Sequence, residues 1–303
     1  MSPTTRARSA ARMLFGSTSA AVAELRGADA SLRAGLPLSR RVGMVALAGG
    51  SGTTSTTASL ASLLAQRRTG MVLAVDAAGG SVGLHRQLTG DAGQPPVEPD
   101  EAAAARRRTA LTAADAGAGL VSTASRLRVL DTTGTRRLAA AVADWGAAVS
   151  PISRFYDLVV TDWGIRPAAA DLEEVAGTCH LLWLVARSDR HSATAAAAAL
   201  GALGDAAGGP RTGLVLVNVS RSPDRVAAGL QRALGRPVLS LPYEPERSRT
   251  PSPSSRRFSS RTRTAHIRLA VTVMDEAIAS QTPAVVAASP APAPVRSATT
   301  VPA

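Results

Sequence analysis

The sequence predicts a three-layer α/β protein, a doubly wound and mostly parallel sheet with helices on both faces. Three observations predict it. Short apolar, β-rich runs alternate with helical stretches from Arg41 onward, as repeated βα units require. Several of these runs are apolar throughout, as strands covered on both faces must be. The first run passes through a glycine-rich loop straight into a helical pattern, and sheets of this kind bind ligands at the carboxyl ends of their strands.

The elements follow in order. Residues 1–40 are basic, then Ala-rich, with a helical pattern around Ser19 to Ala34 in which Leu25, Leu32 and Leu36 share a face. They form an extension packed on, or tethered to, the main domain of residues 41–280. The expected strands are Gly43–Ala48, Met71–Asp76, Leu127–Asp131, Tyr156–Asp162, His180–Ala186, Gly213–Val219 and Pro237–Leu241. The expected helices between them are Thr53–Arg68, Thr135–Ala148, Ala168–Ala176, Ser192–Leu203 and Asp224–Leu234. Residues 90–119 begin acidic and Pro-rich and turn basic at Arg106-Arg107-Arg108, which reads as an irregular insertion with one helix. Residues 245–263 are rich in Ser, Arg and Pro and read as a mobile loop. A last helix, Thr264 to Ser280, sets Ile267, Val271, Met274 and Ile278 on one face. The Ala/Pro-rich tail 281–303 reads as disordered.

Composition bounds the function. At 303 residues the chain is long enough for a substantial core, but with 3% aromatics that core must be built from Ala, Val and Leu. The net charge is +12, and all 34 basic residues are arginine. A GC-rich coding bias produces this, and so does an anionic partner such as DNA, phosphates or an acidic membrane surface. The single cysteine, Cys179, reads as a core residue in a reducing, cytoplasmic compartment. His85, His180, His191 and His266 lack metal-ligand spacing. No apolar run reaches the about 18–20 residues of a transmembrane segment, and Arg6, Arg8 and Arg12 are followed by no apolar secretory region.

The stretch that carries chemistry is Gly49-Gly50-Ser51-Gly52-Thr53-Thr54-Ser55. Strand, glycine loop, hydroxyl cluster and helix together cradle a nucleoside triphosphate, because glycines let backbone N–H groups turn toward an anion. Thr54 occupies the position where a hydroxyl ligates Mg²⁺. A tight strand-to-helix turn without a ligand selects the same glycines. Two apolar runs end in carboxylates, Asp76 and Asp162, at the expected ligand edge. Asp162 suits a magnesium-bound water, and Gly164 after it suits a segment that senses a γ-phosphate. A strand-terminal Asp that caps a helix gives the same pattern. Asn218 ends another run, where an amide reads an adenine edge or simply forms a turn. No serine-nucleophile elbow, metal cluster or paired-carboxylate signature accompanies these residues, and Asp162 is the nearest thing to a catalytic candidate.

The ordered series formed by the glycine loop, "VLAVDA", "FYDLVVTDWG", "LLWLVA", "GLVLVNVS" and "RPVLSLPYEPE" resembles the MinD/ParA family of deviant phosphate-loop ATPases, from about Arg41 to Ser280. "ARMLFG…AELRGADASLRAGLPLSRRV" and "SRLRVLD" further resemble the MinD-like proteins associated with actinobacterial type VII secretion. The resemblance implies ATP with Mg²⁺ as ligand, pairing of two copies, and a partner within a secretion or partitioning machine, with the membrane reached only through partners. The family's loop reads Lys-Gly-Gly-x-Gly-Lys-Thr/Ser. Its first lysine, which reaches the partner subunit's nucleotide, falls on Ala48, and its second, on the β- and γ-phosphates, falls on Thr53. The carboxylate that positions water falls near Ala78, whereas Thr54 and Asp162 are kept. Losing one preorganised donor costs about 10²–10³ in rate, and an arginine-finger-type cation about 10³–10⁵. The expectation is therefore an ATPase fold with weak or vestigial ATP binding and little hydrolysis. Arg166 is the nearest substitute cation. A nucleotide-free pseudo-ATPase scaffold is one alternative. A nonspecific DNA binder is another, acting through Arg247, Arg249, Arg256, Arg257, Arg261 and Arg263 on phosphates without reading bases.

Overall fold

Apolar runs that cannot face water fill the middle layer. In the computed structural model, which describes residues 23, 25–80, 82–90, 100–134, 138–204, 209–220, 226–248 and 257–280, eight strands form one sheet. They are β1 (Arg40–Ala46), β2 (Val72–Asp76), β3 (Val121–Ser122), β4 (Arg128–Asp131), β5 (Leu158–Ile165), β6 (Leu181–Arg187), β7 (Arg211–Val217) and β8 (Val238–Leu241). The order is β3-β4-β2-β5-β1-β6-β7-β8, and every pair is parallel except β3–β4. The chain leaves β1 toward β2 and later crosses to β6 on its other side, so the sheet reverses its winding beside β1. In sheets of this kind ligands bind at the carboxyl edge beside such a reversal, where the glycine loop after β1 lies.

Two helical layers cover the sheet. A helix over 25–33 (α1), α2 (Thr53–Arg67), α3 (Leu84–Thr89) and α10 (Ser260–Ala279) lie on one face, where Leu32, Leu60, Leu64, Leu84, Leu269 and Met274 meet Val42, Met44 and Val160. On the other face lie α6 (Val142–Ser153), α7 (Ala169–Thr178), α8 (Arg190–Leu203) and α9 (Ala227–Leu234). Their Trp145, Val149, Val175 and Leu200 meet Val45, Val75, Trp163 and Leu184. Successive strand residues alternate between these two cores, so both must be apolar. The scarcity of aromatics is met by placing two of the three tryptophans, Trp163 and Trp183, fully inside the sheet layers.

Several expectations shift. β5 runs three residues beyond Asp162. Of the expected Thr135–Ala148 helix, residues 135–137 lie outside the described residues; the described helix is Val142–Ser153, which runs through Pro151 with Val149 and Ile152 fully buried. The insertion holds two helices, α4 (Glu101–Arg108), capped by Asp100, and α5 (Ala113–Ala116), with a Thr112–Asp115 capping box. Of the supposed α1 face, Leu32 and Leu36 pack on the core but Leu25 is exposed. Arg68 anchors this segment: its Nη1 donates to Leu32 O (3.0 Å) and Ala34 O (2.9 Å), and its Nη2 to Asp157 (3.1 Å). The final helix begins at Ser260, so Arg261 and Arg263 stand on a helix rather than in a loop. Residues 249–256 and the tail 281–303 lie outside the described residues.

Candidate nucleotide site

The glycine loop has the backbone its sequence requires. β1 ends at Ala46, and α2 starts at Thr53 after Gly50 and Gly52 take left-handed φ of 72° and 79°. Gly52 is the N-cap of α2 and supplies no side-chain cap, which leaves the first N–H groups of the helix without one. That end carries about half a positive charge from the helix dipole. A Cβ on Gly52 would come 3.3 Å from Val217, so glycine is favoured by both space and φ. Ser51 is turned away from the loop mouth, its Oγ donating to Ala48 O (2.7 Å). Thr53, where the resemblance places the phosphate lysine, is 6% exposed and too short to carry charge to a phosphate. Thr54 and Ser55 are half-buried on the first turn.

Parallel register gathers three carboxylates in a row. Asp76 pairs with Asp131 on β4 and with Asp162 on β5. Asp131 was missed in the sequence, although it ends an apolar run as the other two do; its Oδ1 accepts from Thr133 N (2.8 Å) and Thr133 Oγ1 (2.7 Å). Asp76 accepts from Ala78 N (3.2 Å) and His85 N (2.9 Å). Burial, then the neighbouring charges of Asp162 and Asp131, push its carboxyl up to about 7 despite those two N–H donors. Asp162 is fully buried; burial pushes it up to about 6, against the opposing pull of the Thr54 hydroxyl and Gly164 N–H. Its Oδ1 accepts from Gly164 N (3.0 Å), and its Oδ2 is buried with no partner. An orphaned carboxylate oxygen beside Thr54 fits a metal-bound water, so Thr54 and Asp162 are the residues that would hold Mg²⁺ with a nucleotide. Among the described residues no three His, Cys, Asp or Glu side chains form a metal site by themselves.

The segment after Asp162 is tied into the sheet. Trp163 is bulged out of register, Gly164 and Ile165 pair with Val45 and Ala46, and Arg166 N donates to Ala46 O (2.8 Å). Gly164 has φ 64°, and a Cβ there would lie 2.8 Å from the Ala78 Cβ. Ala78, near which the resemblance places a carboxylate, therefore packs directly against this segment. Arg166 does not offer its charge to the loop. Its Nε donates to Trp163 O (3.2 Å), its Nη2 to Ala140 O (2.7 Å), and its guanidinium lies 5.4 Å over the Trp163 ring. This clamp has no signature in the sequence, because it depends on the Ala140 carbonyl, brought from the approach to α6.

The remaining candidates divide. Asn218 sits at the end of β7, whose Val217 packs on Gly52; its Oδ1 accepts from Ser220 N (3.0 Å), a turn interaction. Of the arginines at 245–263, Arg263 donates to Phe258 O (2.8 Å), and Arg247 is packed near His266 and Glu244, while Arg257 and Arg261 are exposed. Cys179 is a half-buried free thiol packed against the core, as expected. No described helix is long and apolar enough to cross a membrane.

No family model matches the chain, and no curated protein matches it. Solved structures do. A ParA family ATPase from Chlorobium tepidum superposes with a TM-score of 0.60 at 18% identity, covering 77% of this chain and 98% of that one. The septum site-determining protein MinD of Pyrococcus horikoshii, complexed with Mg-ADP, gives 0.58 at 20% identity over 77% and 95%. MinD in the MinC:MinD complex of Aquifex aeolicus gives 0.58 at 17% over 78% and 96%. An eight-stranded, mostly parallel sheet wound about a glycine loop at the end of its first strand is thus a phosphate-loop NTPase fold of the MinD/ParA type.

Proposed function

We propose that the chain is a MinD/ParA-like protein with a degenerate ATP site, one that binds Mg-ATP weakly, hydrolyses it at or near background, and regulates or positions a larger machine. The observation that supports this is a glycine loop with left-handed turns at Gly50 and Gly52 and a threonine at its lysine position. Thr53 stands where the phosphate lysine would be, no lysine exists in the chain, and Arg166 is spent on carbonyls and Trp163. The Mg-ADP held by the archaeal MinD supports adenine nucleotide as the ligand. The MinC bound to the Aquifex MinD supports a protein partner. The resemblance of the N-terminal stretch favours a secretion machine over a partitioning one, reached from the cytoplasm. With Ala48 in place of the bridging lysine, a homodimer would lack the contact by which one copy reaches its partner's nucleotide.

Phosphate release and calorimetry at millimolar ATP with Mg²⁺ test this. The expected result is weak heat and no turnover above background, since each lost charged hydrogen bond removes roughly 1.5–3 kcal/mol. Partner-stimulated turnover abolished by Asp162→Ala would overturn it. Absence of heat, with no effect of ATP on the melting of wild type or Gly52→Val, favours the nucleotide-free scaffold instead. Of the arginines behind the DNA reading, Arg247 is packed into the fold, whereas Arg257, Arg261 and Arg263 are exposed.

A further inference from the structure

We propose that a second anion site lies at the amino edge of the sheet, where Arg126 and Arg128 hold a phosphate group. A half-open hollow of about 230 Å3 lies between the start of β2 and the β3–β4 turn, and Thr69, Gly70, Ser122, Arg126 and Arg128 line it. It is separated from the glycine loop by the length of β2, about 16 Å at 3.3 Å per residue.

Charge is the first observation. Among the described residues neither guanidinium makes a hydrogen bond or ion pair, whereas Arg33, Arg68, Arg106, Arg187 and Arg211 each meet a carboxylate. The carboxylate beside the hollow is Asp157, which leaves no room for a Cβ on Gly70, and it is engaged by Arg68. The end of α2 also approaches, but the roughly half negative charge of a helix C-terminus is small against two guanidinium ions.

Backbone conformation is the second. Arg126 has φ 64°, and every other left-handed position among the described residues is glycine. The turn closes by Arg126 N donating to Thr123 O (2.9 Å) and Thr123 N to Leu127 O (2.9 Å), bonds that a glycine at 126 would make equally well without strain. An arginine kept where the turn favours glycine points to use of its side chain. The fork of a guanidinium matches phosphate oxygens in pairs, and two hydroxyl-bearing residues, Thr69 and Ser122, line the same hollow. The hollow is smaller than the about 300–1,000 Å3 that encloses a whole organic ligand. It suits a phosphate or diphosphate group whose remaining body stays in solvent.

Calorimetry of the full chain with pyrophosphate and with orthophosphate, at low salt with EDTA, tests the site. Binding is expected in wild type and in Gly52→Val, and is expected to weaken about ten- to a hundredfold in Arg128→Gln and in Arg126→Gly. Arg126→Gly should melt no lower than wild type, because glycine relieves the turn; this separates loss of ligand from loss of fold. The proposal is overturned if neither anion binds, or if binding survives Arg126→Gly. It is equally overturned if binding is lost in Gly52→Val alone, which would place the anion on the glycine loop, or if Arg126→Gly melts lower, which would make Arg126 structural.

Discussion

Replacing Asp162 with asparagine should stabilise the protein, and more so at high pH. Asp162 is fully buried, its Oδ2 has no partner, and its carboxyl is raised from 3.8 to about 6. Between those two pH values the folded chain holds a proton that the unfolded chain has released. Stability therefore falls as pH rises through this window, and the penalty is complete above about pH 6. A shift of some two units at about 1.4 kcal/mol per unit makes the full penalty on the order of 3 kcal/mol. At pH 4 most of it is absent. The amide keeps an oxygen to accept from Gly164 N and carries no charge to desolvate. Its neutrality also lowers the cost of ionising Asp76 next to it. Asp162→Asn should thus gain about 2 kcal/mol more at pH 8 than at pH 4, or roughly 3–4 °C in melting temperature for a chain of this size. The assay is thermal or urea denaturation of variant and wild type across pH 4–9, taking the difference between the two proteins so that other titrations cancel. A difference that is flat with pH, or that grows toward acid, would refute the reasoning.

Two further variants probe the scaffold. Gly164→Ala adds a methyl group 2.8 Å from the Ala78 Cβ at a left-handed φ, and should cost about 1–3 kcal/mol in urea denaturation; an unchanged midpoint would mean that the segment after Asp162 is not held against Ala78. Arg68→Ala strands the Asp157 carboxylate and the carbonyls of Leu32 and Ala34, and should cost about 3–5 kcal/mol, with amide exchange rising first over residues 25–36.

The two variants also mark how far the sequence could be read. The parallel sheet was legible because buried strands are apolar on both faces, and β1, β2, β6 and β7 are such runs. The glycine loop was legible because Gly50 and Gly52 take a backbone that other residues avoid. That no lysine stands at Thr53 was legible from composition alone, since the chain contains none. Local pattern failed where partners come from far along the chain. Nothing near Asp162 says that β5 continues to Ile165, because β1 supplies the pairing. Nothing near Arg166 says that its guanidinium is held by Trp163 and the Ala140 carbonyl, and nothing near Arg68 says that it fastens residues 25–36. The sequence determined by itself which residues are apolar, which can turn and which charges exist. Only the tertiary structure decided which charges are already neutralised, because an arginine's partners are set by where parallel register and helix packing bring carbonyls and carboxylates, not by its neighbours in the chain.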